Sequence, residues 1–244
     1  TRMVVQVVER GKPADYGQEI VKRRSRITAS FVPLAGRRVL DIGAGNGAQT
    51  FTLLEYGCSV VACDIAPEGL ALLSQFAREN ALDSVTPVLC DGARLPFPDE
   101  SFEVVVSYAV LEHVVDEITG LREILRVLKG GGQCVISVPN KWWIFETHGA
   151  RLPLLPWNRV PFFSWLPRAL HSRFALARIY TRRDIVDLLE QHNCEVQHAC
   201  YLTAPMDVLR IPFIQKLLRR TIFRRDRTRI PFLATEVLVS CRKK

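Results

Sequence analysis

The stretch from Arg38 to Asp64 constrains this chain more than any other. It runs Arg-Val-Leu-Asp-Ile-Gly-Ala-Gly-Asn-Gly, then a helical segment, then Ser-Val-Val-Ala-Cys-Asp. Val39, Leu40 and Ile42 form a short apolar run with β-branched residues, which predicts a buried parallel strand. Gly43, Gly45 and Gly47 follow at once, and glycine admits positive φ and close approach of backbone to a ligand. Ala48 to Tyr56 is helical in period and Gly57 ends it, so the glycine turn stands at a helix N-terminus. Ser59 to Cys63 predicts a second strand, with Asp64 at its C-terminal end. An acid at that place can accept both hydroxyls of a ribose.

The glycine spacing separates two kinds of nucleotide site. Dinucleotide sites use G-x-G-x-x-G, where helix N–H groups meet a pyrophosphate. This chain has G-x-G-x-G preceded by Asp41. An acid there repels a pyrophosphate and suits a ligand that carries an ammonium group. Taken alone, the loop also suits a glycine-rich turn in another α/β protein. With its flanking acids it resembles the class I S-adenosylmethionine-dependent methyltransferases, and more closely their small-molecule branch, the type 11 domain. The resemblance is specific over about residues 37–140 and looser over 181–204 and 234–241. It implies S-adenosyl-L-methionine as cofactor, held by Asp41, Gly43, Ala44, Gly45, Asn46, Gly47, Asp64 and Ile65.

Beyond Asp64 the helix and strand patterns alternate. Pro67 to Asn80 predicts a helix opened by a first-turn proline, and Val85 to Cys90 a third strand. Asp91-Gly92-Ala93 follows. By itself Asp-Gly is a turn signal; the resemblance places Asp91 on the adenine amine and Ala93 against the ring. Phe102 to Tyr108 predicts the fourth strand, Leu121 to Lys129 a helix and Gln133 to Val138 the fifth strand. Such a series predicts a doubly wound, Rossmann-like mixed sheet, seven-stranded in the resembled family. Ligands of these sheets sit beyond the strand C-termini. Gly43 to Gly47, Asp64, Asp91 and Tyr108 all fall on that edge, which makes Tyr108 a further cofactor candidate. After the fourth strand comes Leu111-Glu112-His113. Some quinone-pathway relatives carry Glu-x-x-Glu-His there, proposed to hold a metal. Ala109 replaces the first Glu, so no metal site is carried over.

One domain over residues 1–244 is expected, with three additions. Residues 1–36 form an N-terminal helical cover, whose basic helix Tyr16 to Phe31 is either solvated or brings Tyr16 or Arg24 to the cofactor carboxylate. Residues 141–180, after the fifth strand, hold Trp142, Trp143, Phe145, Trp157, Phe162, Phe163 and Trp165. So aromatic a connector predicts a lid over the substrate, or else a second small core or a dimer interface. A clear helix, Thr181 to His192, then leads to a sixth strand over Cys194 to Leu202 and a seventh over Thr235 to Cys241. Between those two strands, residues 205–231 alternate apolar and basic side chains at helical spacing from Phe213 to Phe223. That pattern predicts either contact with a membrane surface or a helix packed on the core.

The net charge of +8 comes wholly from the C-terminal end. Residues 206–244 carry 11 basic and 3 acidic side chains, which leaves 22 of each sign for the first 205 residues. No apolar run approaches the length of a spanning helix. The seven cysteines show no C-x-x-C pair, which fits free thiols in a cytoplasmic protein, one that is peripheral at a membrane if residues 205–231 take the first of their two readings. The acceptor is expected to be small or amphipathic, a lipid, a quinone precursor or a lipid-linked sugar, methylated on oxygen. For a hydroxyl acceptor a histidine base suits neutral pH. His148, oriented by Glu146, is the first choice and His113 the second. An RNA or protein methyltransferase and a non-catalytic scaffold are the alternatives. No nucleic-acid partner is expected, because the chain lacks an Asn/Asp-Pro-Pro-Tyr motif and an RNA-binding module. The sequence is silent on oligomeric state.

Overall fold

The computed structural model describes residues 19–145, 150–152, 155–157, 161–207, 209 and 211–244. One face of a central sheet is covered by α1 (Glu19–Phe31), α2 (Ala48–Leu54) and α3 (Pro67–Glu79). The other is covered by α4 (Glu117–Val127) and α6 (Arg182–Glu190). The strands are β1 (Arg38–Ile42), β2 (Ser59–Asp64), β3 (Val85–Leu89), β4 (Phe102–Tyr108), β5 (Leu128–Pro139), β8 (Cys194–Thr203), β9 (Arg227–Thr228) and β10 (Ala234–Lys243). They lie in the order β3-β2-β1-β4-β5-β10-β8-β9. β1 to β5 are parallel, and β10 runs antiparallel between β5 and β8.

Side-chain alternation along the strands builds two cores from one sheet. Val39, Val60, Val104 and Val106 pack with Ile27, Leu53 and Leu73 on the first face. Leu40, Val61 and Val105 pack with Leu121, Ile124, Ile185 and Leu189 on the second. The inner strands are therefore largely apolar, the pattern from which they were predicted. From β1 the chain winds outward through β2 to β3, then crosses back to β4 on the opposite side. β1 and β4 are neighbours, with Ile42 opposite Ser107. The C-terminal ends of this pair are the point where the winding reverses, the place where doubly wound sheets open a crevice for a ligand.

The sheet has eight strands rather than seven. The extra one, β9, is a two-residue strand that pairs with the edge of β8, Tyr201 to Thr228 and Leu202 to Arg227. It comes from the basic insertion. The predicted helix to Lys129 stops instead at Val127, and Lys129-Gly-Gly-Gly is the start of β5, with Gly131 at φ 71°. A separate hairpin, β6 (Ala150–Leu152) and β7 (Leu155–Trp157), lies in the aromatic insertion, and α5 (Arg168–Phe174) follows it.

The two insertions are packed on each other. Trp143 is buried with Ala204, Met206 and Phe223, and Ile144, Leu209, Leu218 and Leu233 close around them. Ser164 donates to the Trp143 carbonyl at 2.6 Å. This is the second small core that the aromatic composition allowed. It is locked to α1 by Arg23, which is 2% exposed and donates to the carbonyls of Thr203, Phe223 and Arg225. The basic stripe of α1 is thus partly internal: arginine supplies five donors, enough to tie the end of β8 to the loop that holds Phe223 and Arg225.

Candidate active site

The glycine loop is tied to β2 by its backbone. Gly43 and Ala44 both donate to the Cys63 carbonyl, at 2.8 and 3.0 Å, and Gly47 donates to the Ala44 carbonyl at 2.9 Å. Gly43 and Gly47 have φ of 74° and 85°. A Cβ on Gly43 would fall 2.2 Å from Val110 Cγ2, and one on Gly47 2.8 Å from the Leu73 side chain. Gly45 differs: a Cβ there would meet nothing within 4 Å, so its open face looks into the crevice. A further glycine, Gly69 in α3, lets that helix lie against Gly45, since a Cβ would stand 2.9 Å from the Gly45 carbonyl carbon. A glycine inside a helical period is the signal that could have pointed to it.

Asp64 closes the loop from the end of β2. Its Oδ2 accepts from Gly45 N at 2.7 Å and its Oδ1 from Ala66 N at 2.8 Å. Each oxygen keeps a lone-pair direction for a further donor, and the residue is half-buried. Beside it Ile65 is 67% exposed, a large apolar side chain at the crevice edge. At the end of β3, Asp91 makes the expected turn: Ala93 donates to its Oδ1 and Arg94 to its carbonyl, both at 2.9 Å. The second Asp91 oxygen is left to the exposed side. Gly92 carries no side chain between Ala93 and this carboxylate.

Asp41, at the end of β1, is 1% exposed and accepts from Thr50 Oγ1 at 2.7 Å. Burial pushes its pKa up to about 7, and the charge of Asp64 adds to the shift. The Asn46 side chain accepts from Ala48 N, whereas its Nδ2 is buried with no acceptor among the described residues. Tyr108 is also present at this edge, but its hydroxyl is taken up by Thr28 of α1 at 2.6 Å, and burial raises its pKa. The Arg24 guanidinium lies 5.7 Å from the Tyr108 ring. Arg24 forms a two-armed pair with Glu236 of β10, one arm of 2.9 Å from Nε. The guanidinium proposed for a cofactor carboxylate is thereby committed to a protein carboxylate. Glu236 was not foreseen, because nothing local in its strand pattern says what lies opposite.

After β4 the chain turns sharply at Ala109, whose φ is 57°. A 3-10 turn, Leu111–His113, then buries Glu112 and turns His113 outward. Burial, and next among the raising influences Glu236, push the Glu112 carboxyl up to about 8, against the opposing pull of Arg24. Partial burial of the ring lowers the His113 pKa, and the Arg178 cation lowers it further, against the opposing pull of the Leu176 backbone. His113 lines a cavity of about 770 Å³ together with Glu117, His171, Arg178 and Tyr180. Tyr180 donates to Glu117 at 2.6 Å there. His148 and Glu146 lie outside the described residues. Among the described residues no group of three or more His, Cys, Asp or Glu is placed to hold a metal ion.

Residues 40–136 match the family model described as a methyltransferase domain. Over these residues the chain is similar to a methyltransferase domain. Among similar proteins, a demethylmenaquinone methyltransferase of Clavibacter sepedonicus is 41% identical over 113 residues, 46% of this chain and 45% of that protein. A ubiquinone biosynthesis O-methyltransferase of Ruegeria pomeroyi is 30% identical over 166 residues, 67% of this chain and 62% of that protein. The chain thus spans about half to three-fifths of the length of these relatives. Over nearly the whole chain, the fold is that of an S-adenosylmethionine dependent methyltransferase from Mesorhizobium loti. That match has a TM-score of 0.61 at 20% identity and covers 93% of this chain and 100% of that one.

Methyltransferase domains of this class take S-adenosyl-L-methionine, and the residues present fit it. The open face of Gly45 leaves room for a ligand against the loop. The buried, unsatisfied Asn46 Nδ2 offers a donor there. Asp64 and Asp91 offer acceptors at the ends of β2 and β3, with the exposed Ile65 next to Asp64 in the chain. These groups sit at the C-terminal ends of β1, β2 and β3 and are the ones that would hold the cofactor.

Proposed function

We propose that this chain transfers the methyl group of S-adenosyl-L-methionine to a small amphipathic acceptor of the quinone-precursor kind. The observation that carries the proposal is the convergence of the glycine loop, Asp41, Asp64 and Asp91 at the β1/β4 crevice. The names of the two relatives support the acceptor class. When bound, the cofactor supplies an already activated methyl on a sulfonium, so the protein's work is placement and proton handling. Asp64 would hold the ribose, with Ile65 and Ala93 along the adenine and Asp91 at its amine. Ionised Asp41 would favour the ammonium end.

For a hydroxyl acceptor a neutral imidazole takes the proton as the oxygen attacks. His148, oriented by Glu146, is the first candidate for that role. His113 is the second, supported by its lowered pKa and its place on the turn directly after β4. Residues 141–180 would cover the acceptor as a lid.

The test is transfer of a labelled methyl from the cofactor to hydroxylated quinone precursors, with RNA and protein offered in parallel. Label in the precursor is expected. Label only in RNA or protein would replace this proposal with the macromolecular one. In the same assay His148→Ala or His113→Ala should slow transfer by about 10²–10⁴ if that residue is the base, with S-adenosylhomocysteine affinity unchanged. Two variants at full rate would remove histidine general-base catalysis from the account.

A further inference from the structure

Residues 211–232 present an apolar and basic surface that the fold leaves uncovered. Within it, α7 (Pro212–Arg220) has no buried residue. At about 100° per residue, its side chains divide into three arcs. Gln215, Leu218 and Arg219 face the protein. Gln215 donates to the Met206 and Leu209 carbonyls, Arg219 pairs with Asp207, and Leu218 meets the small core around Trp143. Phe213, Ile214 and Leu217 form the opposite arc and are 76%, 41% and 50% exposed. Lys216 and Arg220, both exposed, flank that arc on one side. An inward face fixed by hydrogen bonds holds the outward apolar arc in place, so its exposure is not relieved by rolling the helix.

The surroundings extend the same chemistry. Ile211 and Ile222, at either end of α7, are 57% and 60% exposed. Trp142, Trp165 and the half-exposed Phe232, next in the chain to Leu233 of the Trp143 core, form a ring cluster, with centroids of 6.1 and 5.5 Å to Phe232. Phe162 and Trp165 remain 52% and 40% exposed. Between Asp207 and Asp226 the chain holds six basic residues and no acidic one. Both bounding acids are already used: Asp207 by Arg219, and Asp226 by Arg26. Apolar side chains next to Lys216 and Arg220, for which no ion pair is seen among the described residues, match a bilayer leaflet with anionic headgroups, into which the apolar arc enters while the cations meet phosphate.

We propose that this face, α7 with the Trp142–Trp165–Phe232 cluster, docks the protein on an anionic membrane surface. The proposal rests on an amphipathic acceptor, which partitions into such a surface. It gives that acceptor a short path to the insertion whose aromatic side chains share a core with α7.

The experiment is sedimentation with vesicles of phosphatidylcholine alone and of phosphatidylcholine with phosphatidylglycerol. Wild-type protein should pellet with the mixed vesicles and lose that association as salt is raised. Lys216→Glu with Arg220→Glu should weaken it by at least about fivefold per charge, and Phe213→Ser with Leu217→Ser should abolish it. None of these side chains supports the core, so circular dichroism and S-adenosylhomocysteine affinity should match wild type. Equal binding to both vesicle types, no binding to either, or variants that bind like wild type would overturn the proposal. So would a wild-type dimer that the Phe213 and Leu217 changes dissociate, because a second copy would then cover the face. Loss of cofactor binding by wild-type protein would be a failure of the methyltransferase proposal instead, and the two results are read separately.

Discussion

Asp41 is a carboxylate whose burial was not visible in its motif. As a motif position it reads as an acid that meets an ammonium; in the fold it is sealed, held by Thr50, and its pKa is pushed up to about 7. Its ordinary value is 3.8. Between those pH values the folded protein keeps a proton that the unfolded chain has lost, so stability falls as pH rises through the window. One proton is worth about 1.4 kcal/mol per pH unit. Glu112, with a pKa near 8, contributes with the same sign up to higher pH. Urea denaturation at a series of pH values should show a shallower decline for Asp41→Asn than for wild type. A ligand with an ammonium group favours the ionised acid, so cofactor affinity should strengthen from about pH 6 to about pH 8 in wild type and less so in the variant. Parallel profiles for the two proteins would show that Asp41 is ionised throughout.

The elements divide cleanly into those that local pattern specified and those that it did not. β4 was legible to the residue, because a strand buried on both faces must be an apolar run, and Phe102 to Tyr108 is bounded by turn residues. The glycine loop was legible because three closely spaced glycines allow few backbones other than a tight ligand-side turn. The role of α1 was not. Its arginines look alike in sequence, yet Arg23 feeds two carbonyls of the basic insertion and one at the end of β8, and Arg24 pairs with Glu236 across 212 positions. Partners so far apart leave no periodic trace. The buried Arg24–Glu236 pair makes a specific prediction. Glu236→Met leaves the guanidinium buried and uncompensated and should cost about 3–5 kcal/mol in denaturant unfolding. Replacing both residues by apolar ones of similar volume should restore much of that loss. A single variant as stable as wild type would show that the pair holds nothing together.

At the scale of the whole molecule, two layers of organisation coexist. A doubly wound sheet brings residues from β1, β2, β3 and their loops to one edge, and its order around the β1/β4 reversal decides where that edge opens. That part followed from strand order and motif placement. The two insertions add a small separate core and a cationic, apolar face that the sheet does not require. Composition announced both segments, but their packing on each other depends on contacts between Trp143, Met206 and Phe223, far apart in the chain. The central claim concerns the sheet edge, and calorimetric titration with S-adenosylhomocysteine tests it most directly. Wild-type protein should bind one equivalent, and Asp64→Ala should lose at least about tenfold in affinity through the missing acceptor and the loosened Gly45 turn. A folded wild-type protein that takes up no S-adenosylhomocysteine would contradict the account and leave a scaffold that only keeps the fold.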